Sequence, residues 1–195
     1  MDGRVVVFDA MGTLFDTAPV EQRFGPDALP RVLHRAAALT LAGEFASFPE
    51  LVEAVLGEEA LATFAELDAF PDAAGALDVL DRAAVPAVIL TNGSAGNTRT
   101  LLERAGLQGR FAEVLTTEEV RAYKPHPAPY RLVGERLGLL PEQVVLVAAH
   151  DWDVMGAAGA GLRAILVGRG GGWSLPGSPP ETAPDLVAAA EAVAG

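Results

Sequence analysis

Short runs of apolar residues recur along the chain, separated by longer stretches with helical periodicity. The runs at 5–8, 87–90, 144–147 and 164–167 are rich in valine, isoleucine and leucine, and a weaker run covers 113–115. Continuous apolar runs of this length are typical of strands that are buried on both faces of a parallel sheet. The pattern therefore predicts five strands of such a sheet.

The stretches between these runs have the spacing of amphipathic helices. They cover residues 73–83, 96–105, 127–137 and 154–160, and a last helix is predicted at 184–194. Strands that alternate with helices form βα units, in which helices cover both faces of a parallel sheet. The expected fold is α/β, with a Rossmann-like parallel sheet and helices on both of its faces.

Residues 17–71 interrupt this alternation, because they contain helical patterns and no strand-like run. The helical patterns in this segment cover 30–41, 49–56 and 58–67. We expect a small helical insertion directly after the turn that follows the first strand. The predicted division is a core domain of residues 1–16 and 72–195 and a helical domain of residues 17–71.

Composition and charge narrow the possible functions. The 195 residues are 50% apolar, which suffices for a sizeable core, and the net charge of −12 predicts repulsion from nucleic acid and anionic membranes. No apolar stretch reaches the roughly 18 residues of a membrane span, and the N-terminus does not resemble a signal peptide. We expect a cytoplasmic protein. The absence of cysteine excludes disulfide and thiolate chemistry.

Polar residues cluster where predicted strands end or predicted helices begin. The clusters are Asp9 with Thr13, Thr91 with Asn92, Lys124, and His150 with Asp151 and Asp153. Ligands of open parallel sheets bind outside the carboxyl ends of the strands, so these side chains are expected to converge on one crevice. Lys124 is the only lysine, whereas the other 13 basic residues are arginines. Either this is chance or the site needs a compact ammonium group.

These clusters resemble the four motifs of the haloacid dehalogenase superfamily. Residues 7–16 (VFDAMGTLFD) are similar to its first motif, 91–93 to its second, 124–125 to its third, and the acidic loop ending at Asp153 to its fourth. The resemblance covers essentially the whole chain. By this resemblance, the helical insertion at 17–71 lies where that superfamily carries its cap.

The resemblance also implies roles for individual residues. Asp9 would be a nucleophile, Lys124 would keep it ionised, and Asp153 would hold Lys124 or orient a water molecule. The predicted catalytic residues are Asp9, Thr13, Lys124 and Asp153. The predicted substrate-binding residues are Met11, Arg35, Thr91, Asn92, Tyr130 and His150. Backbone N–H groups around Met11 to Thr13 would help to hold the negative charge of a small anionic substrate.

Two positions favour a dehalogenase over a phosphatase within the superfamily. Met11 and Ala149 stand where a phosphatase has its general acid and an aspartate ligand of Mg²⁺. Phosphoryl transfer uses both groups, whereas halide is a weak base that leaves unprotonated. Arg35, Tyr130 and Trp152 resemble residues of the L-2-haloacid dehalogenase branch, in which the arginine receives the halide. We therefore predict cofactor-free hydrolysis of a short 2-haloacid through an aspartyl ester.

Two other functions stay open at this point. One is a Mg²⁺-dependent phosphatase with Asp9, Asp151 and Asp153 as metal ligands, and the other is a non-catalytic binding protein that kept the fold. Single residues also have structural alternatives, since Asp153 could cap the helix after it and Tyr130 could pack a helix against the sheet. The protein is expected to be a monomer or a homodimer.

Overall fold

The computed structural model describes residues 3–169 and 171–195, and its centre is a six-stranded, fully parallel sheet. The strands are β1 (Val5–Phe8), β2 (Ala87–Thr91), β3 (Glu113–Thr116), β4 (Val144–Ala148), β5 (Arg163–Val167) and β6 (Thr182–Ala183). Their order in the sheet is β3-β2-β1-β4-β5-β6. The predicted α/β fold with a parallel sheet is confirmed.

Strand β6 was not predicted. It has only two residues, which pair with Leu166 and Val167 of β5, and two residues carry no detectable periodicity. The other five strands lie where the apolar runs placed them. Because β1 lies between β2 and β4, the carboxyl ends of these three strands meet at the middle of the sheet.

The described residues contain nine α-helices. They are α1 (Ala18–Phe24), α2 (Ala28–Leu41), α3 (Phe48–Leu56), α4 (Glu59–Phe64), α5 (Ala73–Arg82), α6 (Ala95–Arg104), α7 (Pro127–Leu137), α8 (Asp151–Gly159) and α9 (Leu186–Ala194). Short 3₁₀ helices cover Thr117–Glu119 and Pro141–Gln143. None of these described helices combines the length and the apolar composition that a membrane crossing needs.

Two apolar cores form on opposite faces of the sheet. Successive side chains of a strand point to opposite faces, and all four residues of β1 are buried. Val6 and Phe8 pack with α5, α6 and α9, whereas Val5 and Val7 pack with α7 and α8. Helices on both faces explain why β1 is apolar throughout rather than alternating.

The helical insertion contains α1 to α4 and leaves the core between β1 and α5. Helix α1 was missed by the sequence analysis, because its seven residues are too few to show a periodic pattern. The chain entering and the chain leaving the insertion are hydrogen-bonded to each other. Asp16 N donates to Asp68 O at 2.9 Å, and Phe70 N donates to Leu14 O at 2.8 Å. These bonds lie beside the boundaries predicted at residues 16 and 72.

Candidate active site

Asp9 is the first residue after β1, at the carboxyl edge of the sheet. Its backbone N–H donates to Val147 O at 3.1 Å, so the neighbouring strand fixes its position. The turn that follows passes through Gly12 with φ of 77°. A Cβ atom at Gly12 would lie 2.9 Å from Nε2 of His150, so both the backbone conformation and the close approach require glycine.

Lys124 places its ammonium group between two carboxylates. Nζ lies 2.9 Å from Oδ1 of Asp9 and 2.6 Å from Oδ2 of Asp153, and it donates a third hydrogen bond to Leu90 O at 2.9 Å. The side chain of Lys124 is fully buried. An ammonium group has three donors and here meets three acceptors, whereas a planar guanidinium would not fit this arrangement.

The charges of this cluster shift the pKa values of its members. Burial by itself would raise the pKa of Asp9, but Lys124, His150 and the hydrogen bond from Thr13 outweigh burial and hold it below its usual value. Burial would lower the pKa of Lys124, but Asp153 and Asp9 raise it. Asp9 is therefore a carboxylate, and Lys124 an ammonium, at neutral pH.

Thr13 fixes the second oxygen of Asp9. Its hydroxyl donates to Oδ2 of Asp9 at 2.7 Å and accepts a hydrogen bond from Ala149 N at 3.0 Å. Thr13 thereby ties Asp9 to the loop after β4. The prediction that backbone N–H groups of this turn hold the negative charge of the substrate needs correction. Gly12 N donates to Phe15 O and Thr13 N donates to Ala10 O, so both are already used within the turn.

Asp153 lies beneath Lys124 and is completely buried. It is in the first turn of α8, which begins at Asp151, and His150 occupies the N-cap position instead. Its Oδ1 accepts a hydrogen bond from the hydroxyl of Tyr130 at 2.7 Å. Burial raises the pKa of Asp153 and nearby Asp9 raises it further, while Lys124 and Tyr130 oppose this rise. These contacts favour holding Lys124 over orienting water.

The structure corrects the prediction that Tyr130 binds substrate. Tyr130 is completely buried on α7, packs in the core on the face of β1 Val5 and Val7, and directs its hydroxyl to Asp153. It lines neither the small cavity above Asp9 nor the larger cavity between the insertion and the core. Tyr130 therefore acts on the site only through Asp153.

A small cavity of about 10 Å³ opens above Asp9, which is room for about one water molecule. The core residues in its lining are Asp9, Met11, Thr91, Asn92, Gly93, His150 and Trp152, and those from the insertion are Leu29, Leu33 and Phe48. Met11, Thr91, Asn92 and His150, the predicted substrate-binding residues of the core, all line this cavity. A larger molecule can enter only if side chains of the insertion move.

The polar groups of this cavity differ in whether another protein group already forms a hydrogen bond with them. Thr91 Oγ1 accepts from Gly93 N at 2.9 Å, and Asn92 Oδ1 accepts from Lys124 N at 3.0 Å. In contrast, Nδ2 of Asn92 is buried and has no hydrogen-bond partner. A buried donor without a partner is costly unless a bound molecule satisfies it, which makes Nδ2 the donor available to an anion.

His150 closes one side of the cavity. Its ring stacks on Trp152 with centroids 5.1 Å apart. Nε2 lies 2.9 Å from Met11 O, to which it donates, and 3.8 Å from Oδ2 of Asp9. The imidazole therefore links the turn after β1 to the loop after β4, directly beside the carboxylate.

Arg35 is not brought to the site. It is exposed on α2 and lines neither the small cavity above Asp9 nor the larger cavity between the insertion and the core. Helix α2 directs Leu29, Val32 and Leu33 towards the core and the cavity, and Arg35 lies outside this inward face. The prediction that Arg35 lines the substrate pocket is therefore wrong for this structure.

The residues suggested as Mg²⁺ ligands do not assemble either. Oδ1 of Asp151 accepts from Trp152 N at 2.7 Å, and Oδ2 accepts from Ser174 N at 3.0 Å. Asp153 is turned towards Lys124 and Tyr130. Within residues 3–169 and 171–195 there is no group of three acidic, histidine or cysteine residues that could hold a metal ion. The donor set thus does not fit Mg²⁺.

Arg169, which no sequence pattern singles out, supports the turn from outside the cavity. Its Nη2 donates to Thr13 O at 3.2 Å and to Oδ1 of Asp72 at 2.7 Å, and its guanidinium lies 3.9 Å above the ring of Phe70. Asp72 in turn accepts from Leu186 N at 2.9 Å. No local pattern distinguishes an arginine in a glycine-rich loop, and its partners lie far away in sequence.

Comparison with known proteins now settles the family. The model of the family described as haloacid dehalogenase-like hydrolase matches residues 4–161. The chain belongs to the haloacid dehalogenase-like hydrolases. The resemblance predicted from the four motifs is confirmed, and so is the prediction that the protein is a hydrolase.

Individual relatives of this haloacid dehalogenase-like hydrolase carry more specific names. It is 34% identical over 192 residues to the (S)-2-haloacid dehalogenase of Xanthobacter autotrophicus, with 85% of this chain and 75% of the relative covered. It is 28% identical over 192 residues to (S)-2-haloacid dehalogenase 1 of Pseudomonas sp. (strain CBS-3), with 85% of each chain covered.

A solved structure resembles the hydrolase over nearly its whole length. It is the L-2-haloacid dehalogenase from Xanthobacter autotrophicus with chloropropionic acid covalently bound. The TM-score is 0.83 at 26% sequence identity, and 98% of both chains is covered. The likeness therefore includes the helical insertion as well as the sheet.

Proposed function

We propose that this hydrolase hydrolyses 2-haloacids, releasing halide and forming the 2-hydroxyacid. The observation that carries the proposal is the buried ion pair between Asp9 and Lys124, which keeps a carboxylate ionised without a metal ion. A carboxylate of this kind is suited to attack carbon. The names of the relatives and the covalently bound chloropropionic acid in the similar structure support the same chemistry.

In the first step an oxygen of Asp9 attacks C2 of the substrate. A C–O bond forms to C2, the carbon–halogen bond breaks on the opposite side, and halide leaves with the bonding electron pair. The product is an ester between Asp9 and the 2-hydroxyacid carbon skeleton, with C2 inverted. Met11 stands where a phosphatase has its acid, and this step needs no acid because halide is a weak base.

In the second step water attacks the carbonyl carbon of the Asp9 ester. The bond from that carbon to the alkoxide oxygen breaks, one water proton ends on the 2-hydroxyacid, and the other is released to solution. Asp9 returns as a carboxylate beside Lys124. The overall reaction consumes one 2-haloacid and one water and yields one 2-hydroxyacid, one halide ion and one proton.

In this proposal the neighbouring residues orient Asp9 and bind the substrate. Thr13 and Lys124 each hold one oxygen of Asp9, so that the attacking lone pair faces the cavity. The free Nδ2 of Asn92 is the donor for the substrate carboxylate, with Thr91, Met11 and His150 as further walls.

The helical insertion is the cap in this proposal, and residues 17–71 form a domain of their own. Leu29, Leu33 and Phe48 supply its side of the cavity above Asp9. Because the cavity holds only about one water molecule, the cap opens to admit substrate and closes to exclude bulk water. The proposal includes a small organic anion as substrate, a cytoplasmic protein, and a monomer or homodimer.

The deciding experiment measures halide release from each enantiomer of 2-bromopropionate and phosphate release from p-nitrophenyl phosphate, with and without Mg²⁺. We expect halide release from one enantiomer, with inversion at C2, and no metal-dependent phosphate release. In a single turnover in heavy-oxygen water, the label should enter the Asp9 carboxylate rather than the product. Mg²⁺-dependent phosphate release alone would establish the phosphatase, and inactivity on a broad panel of haloacids and phosphate esters would favour a binding protein.

A further inference from the structure

A second, larger cavity lies between the helical insertion and the core, directly outside the cavity at Asp9. We call it the outer cleft, and its volume is about 570 Å³. Its apolar lining is Leu29, Pro30, Leu33, Ala37, Pro125 and Trp152. Lys124 borders the cleft as well, although its side chain is fully buried, so the cleft lies beside the residue that pairs with Asp9.

The outer cleft adjoins the inner cavity. Leu29, Leu33, His150 and Trp152 line both spaces, and two of these four are flexible aliphatic side chains on α2. A substituent on C2 of a molecule bound at Asp9 would leave the inner cavity past Leu29 and Leu33. It would then enter the apolar part of the outer cleft.

We propose that the outer cleft binds a long apolar substituent on C2, so that the preferred substrates are medium-chain 2-haloalkanoates rather than 2-halopropionate. This inference rests on the proposed function. A cleft of this volume is within the range of sites that enclose drug-sized ligands. The methyl group of 2-halopropionate would leave it empty, and its apolar lining would stay in contact with water.

The charges around the cleft favour a neutral substituent. Glu21 is the carboxylate in its lining, and the whole chain carries a net charge of −12. A second carboxylate at the far end of the substrate would therefore be repelled. The substrate carboxylate instead has its donor at Asn92, inside the inner cavity. A bound substrate would therefore place its carboxylate at Asn92 in the inner cavity and its apolar substituent in the outer cleft.

The test compares kcat/KM for 2-bromopropionate, 2-bromohexanoate and 2-bromooctanoate. Each buried CH₂ is worth up to about fourfold in kcat/KM, and we expect a rise of at least about tenfold across the series. Ala37→Trp fills the cleft and should reduce the octanoate-to-propionate ratio to near unity. Ala38→Trp, on the exposed side of the same helix, is the matched control and should keep the wild-type ratio.

A flat or falling kcat/KM across the series, or an unchanged ratio in Ala37→Trp, would overturn the inference. Calorimetric binding of octanoate and propionate to the wild-type protein tests the cleft without any turnover. We expect octanoate to bind at least about tenfold more tightly, and equal affinities would refute the cleft assignment. Failure of all three bromoacids to react, together with selective octanoate binding, would refute the proposed function and leave the apolar cleft standing.

Discussion

Nζ of Lys124 lies closer to Oδ2 of Asp153, at 2.6 Å, than to Oδ1 of Asp9, at 2.9 Å. Both carboxylates therefore contact the ammonium, and in the proposed reaction only Asp9 forms a bond to the substrate. When Asp9 becomes an ester it loses its charge, but Lys124 keeps a buried counter-ion. In the ester state the ammonium of Lys124 and the carboxylate of Asp153 therefore still balance each other, whereas a lone Asp9–Lys124 pair would leave an uncompensated buried ammonium.

Asp9→Asn should abolish turnover while leaving the fold intact. An amide is a poor nucleophile, so kcat should fall by at least about 10⁴-fold. The pair between Lys124 and Asp153 survives the change, so the cooperative melting transition should persist. Halide release and thermal melting check this, and Asp27→Asn at an exposed carboxylate is the control. Full activity with a native melt would refute the role of Asp9.

Lys124→Arg should be severely impaired although the charge is conserved. The guanidinium is planar and larger, and it cannot meet Asp9, Asp153 and Leu90 O in the geometry of the ammonium. A displacement of Asp9 by about 1 Å costs on the order of 10²-fold in rate. Steady-state kinetics beside exposed Arg99→Lys provides the measurement. A kcat/KM near that of the wild type would mean that the lone lysine is an accident of composition.

Tyr130→Phe should move the acid limb of the pH–rate profile to higher pH. The hydrogen bond from Tyr130 lowers the pKa of Asp153 against the effect of burial, so its removal raises that pKa and Asp153 becomes protonated at a higher pH. The loss of a buried hydrogen bond to a charged group should also cost about 2 kcal/mol of unfolding free energy.

The matched control is Tyr123→Phe, because the hydroxyl of Tyr123 donates to Ala46 O rather than to the site. It should lower stability without shifting the profile. Identical pH profiles for Tyr130→Phe and the wild type would show that Tyr130 only packs against the sheet.

Asp72→Asn should weaken the contact between the core and the turn after β1. Burial acts to raise the pKa of Asp72, but Arg169 and Leu186 N outweigh it, so the folded pKa lies below the unfolded value. Such a group stabilises the fold above its unfolded pKa, and the stabilisation is lost as the pH falls through the folded pKa.

The variant should therefore be less stable than the wild type at neutral pH, by about 1 kcal/mol because solvent partly screens this pair. The two stability curves should converge as the pH falls below about 4. Urea unfolding at several pH values measures this. A constant difference down to the lowest pH would show that the charge of Asp72 contributes nothing.

The sequence located the reacting groups because their positions follow from local rules. Asp9 and Asn92 come directly after buried strands, and the carboxyl ends of parallel strands must meet. Lys124 was singled out because it is the only lysine. Strand pattern and composition together therefore predict most of the core residues that line the cavity.

The errors have a different physical origin. The orientation of Arg35 depends on how α2 packs, and a helix can present a residue to the cavity or to solvent after a small rotation. Tyr130 was placed beside the site, but the face of the sheet on which it lies was not predictable from spacing. Arg169 acts through Thr13 and Asp72, which are far away in sequence. Long-range packing decides all three.

Halide release should survive EDTA and should not increase with Mg²⁺. Lys124 occupies the place beside Oδ1 of Asp9 where a cation would bind, and Asp153 faces Lys124. Asp151 is tied to Trp152 and Ser174. A divalent ion on Asp9 would also engage the oxygens that must attack carbon, so added metal should inhibit or have no effect.

The measurement is halide release at saturating 2-bromoacid in EDTA, repeated after addition of excess MgCl₂. We expect rates that agree within about twofold, since a loss of about tenfold would already correspond to 1.4 kcal/mol of transition-state stabilisation. Asp151→Asn serves as the companion variant. Its halide release should stay insensitive to metal, because the carboxylate of Asp151 holds the loop at Ser174 and not the reacting groups. Activity that disappears in EDTA and returns with Mg²⁺ would contradict the ion-pair mechanism, and its additional loss in Asp151→Asn would identify that carboxylate as the metal ligand.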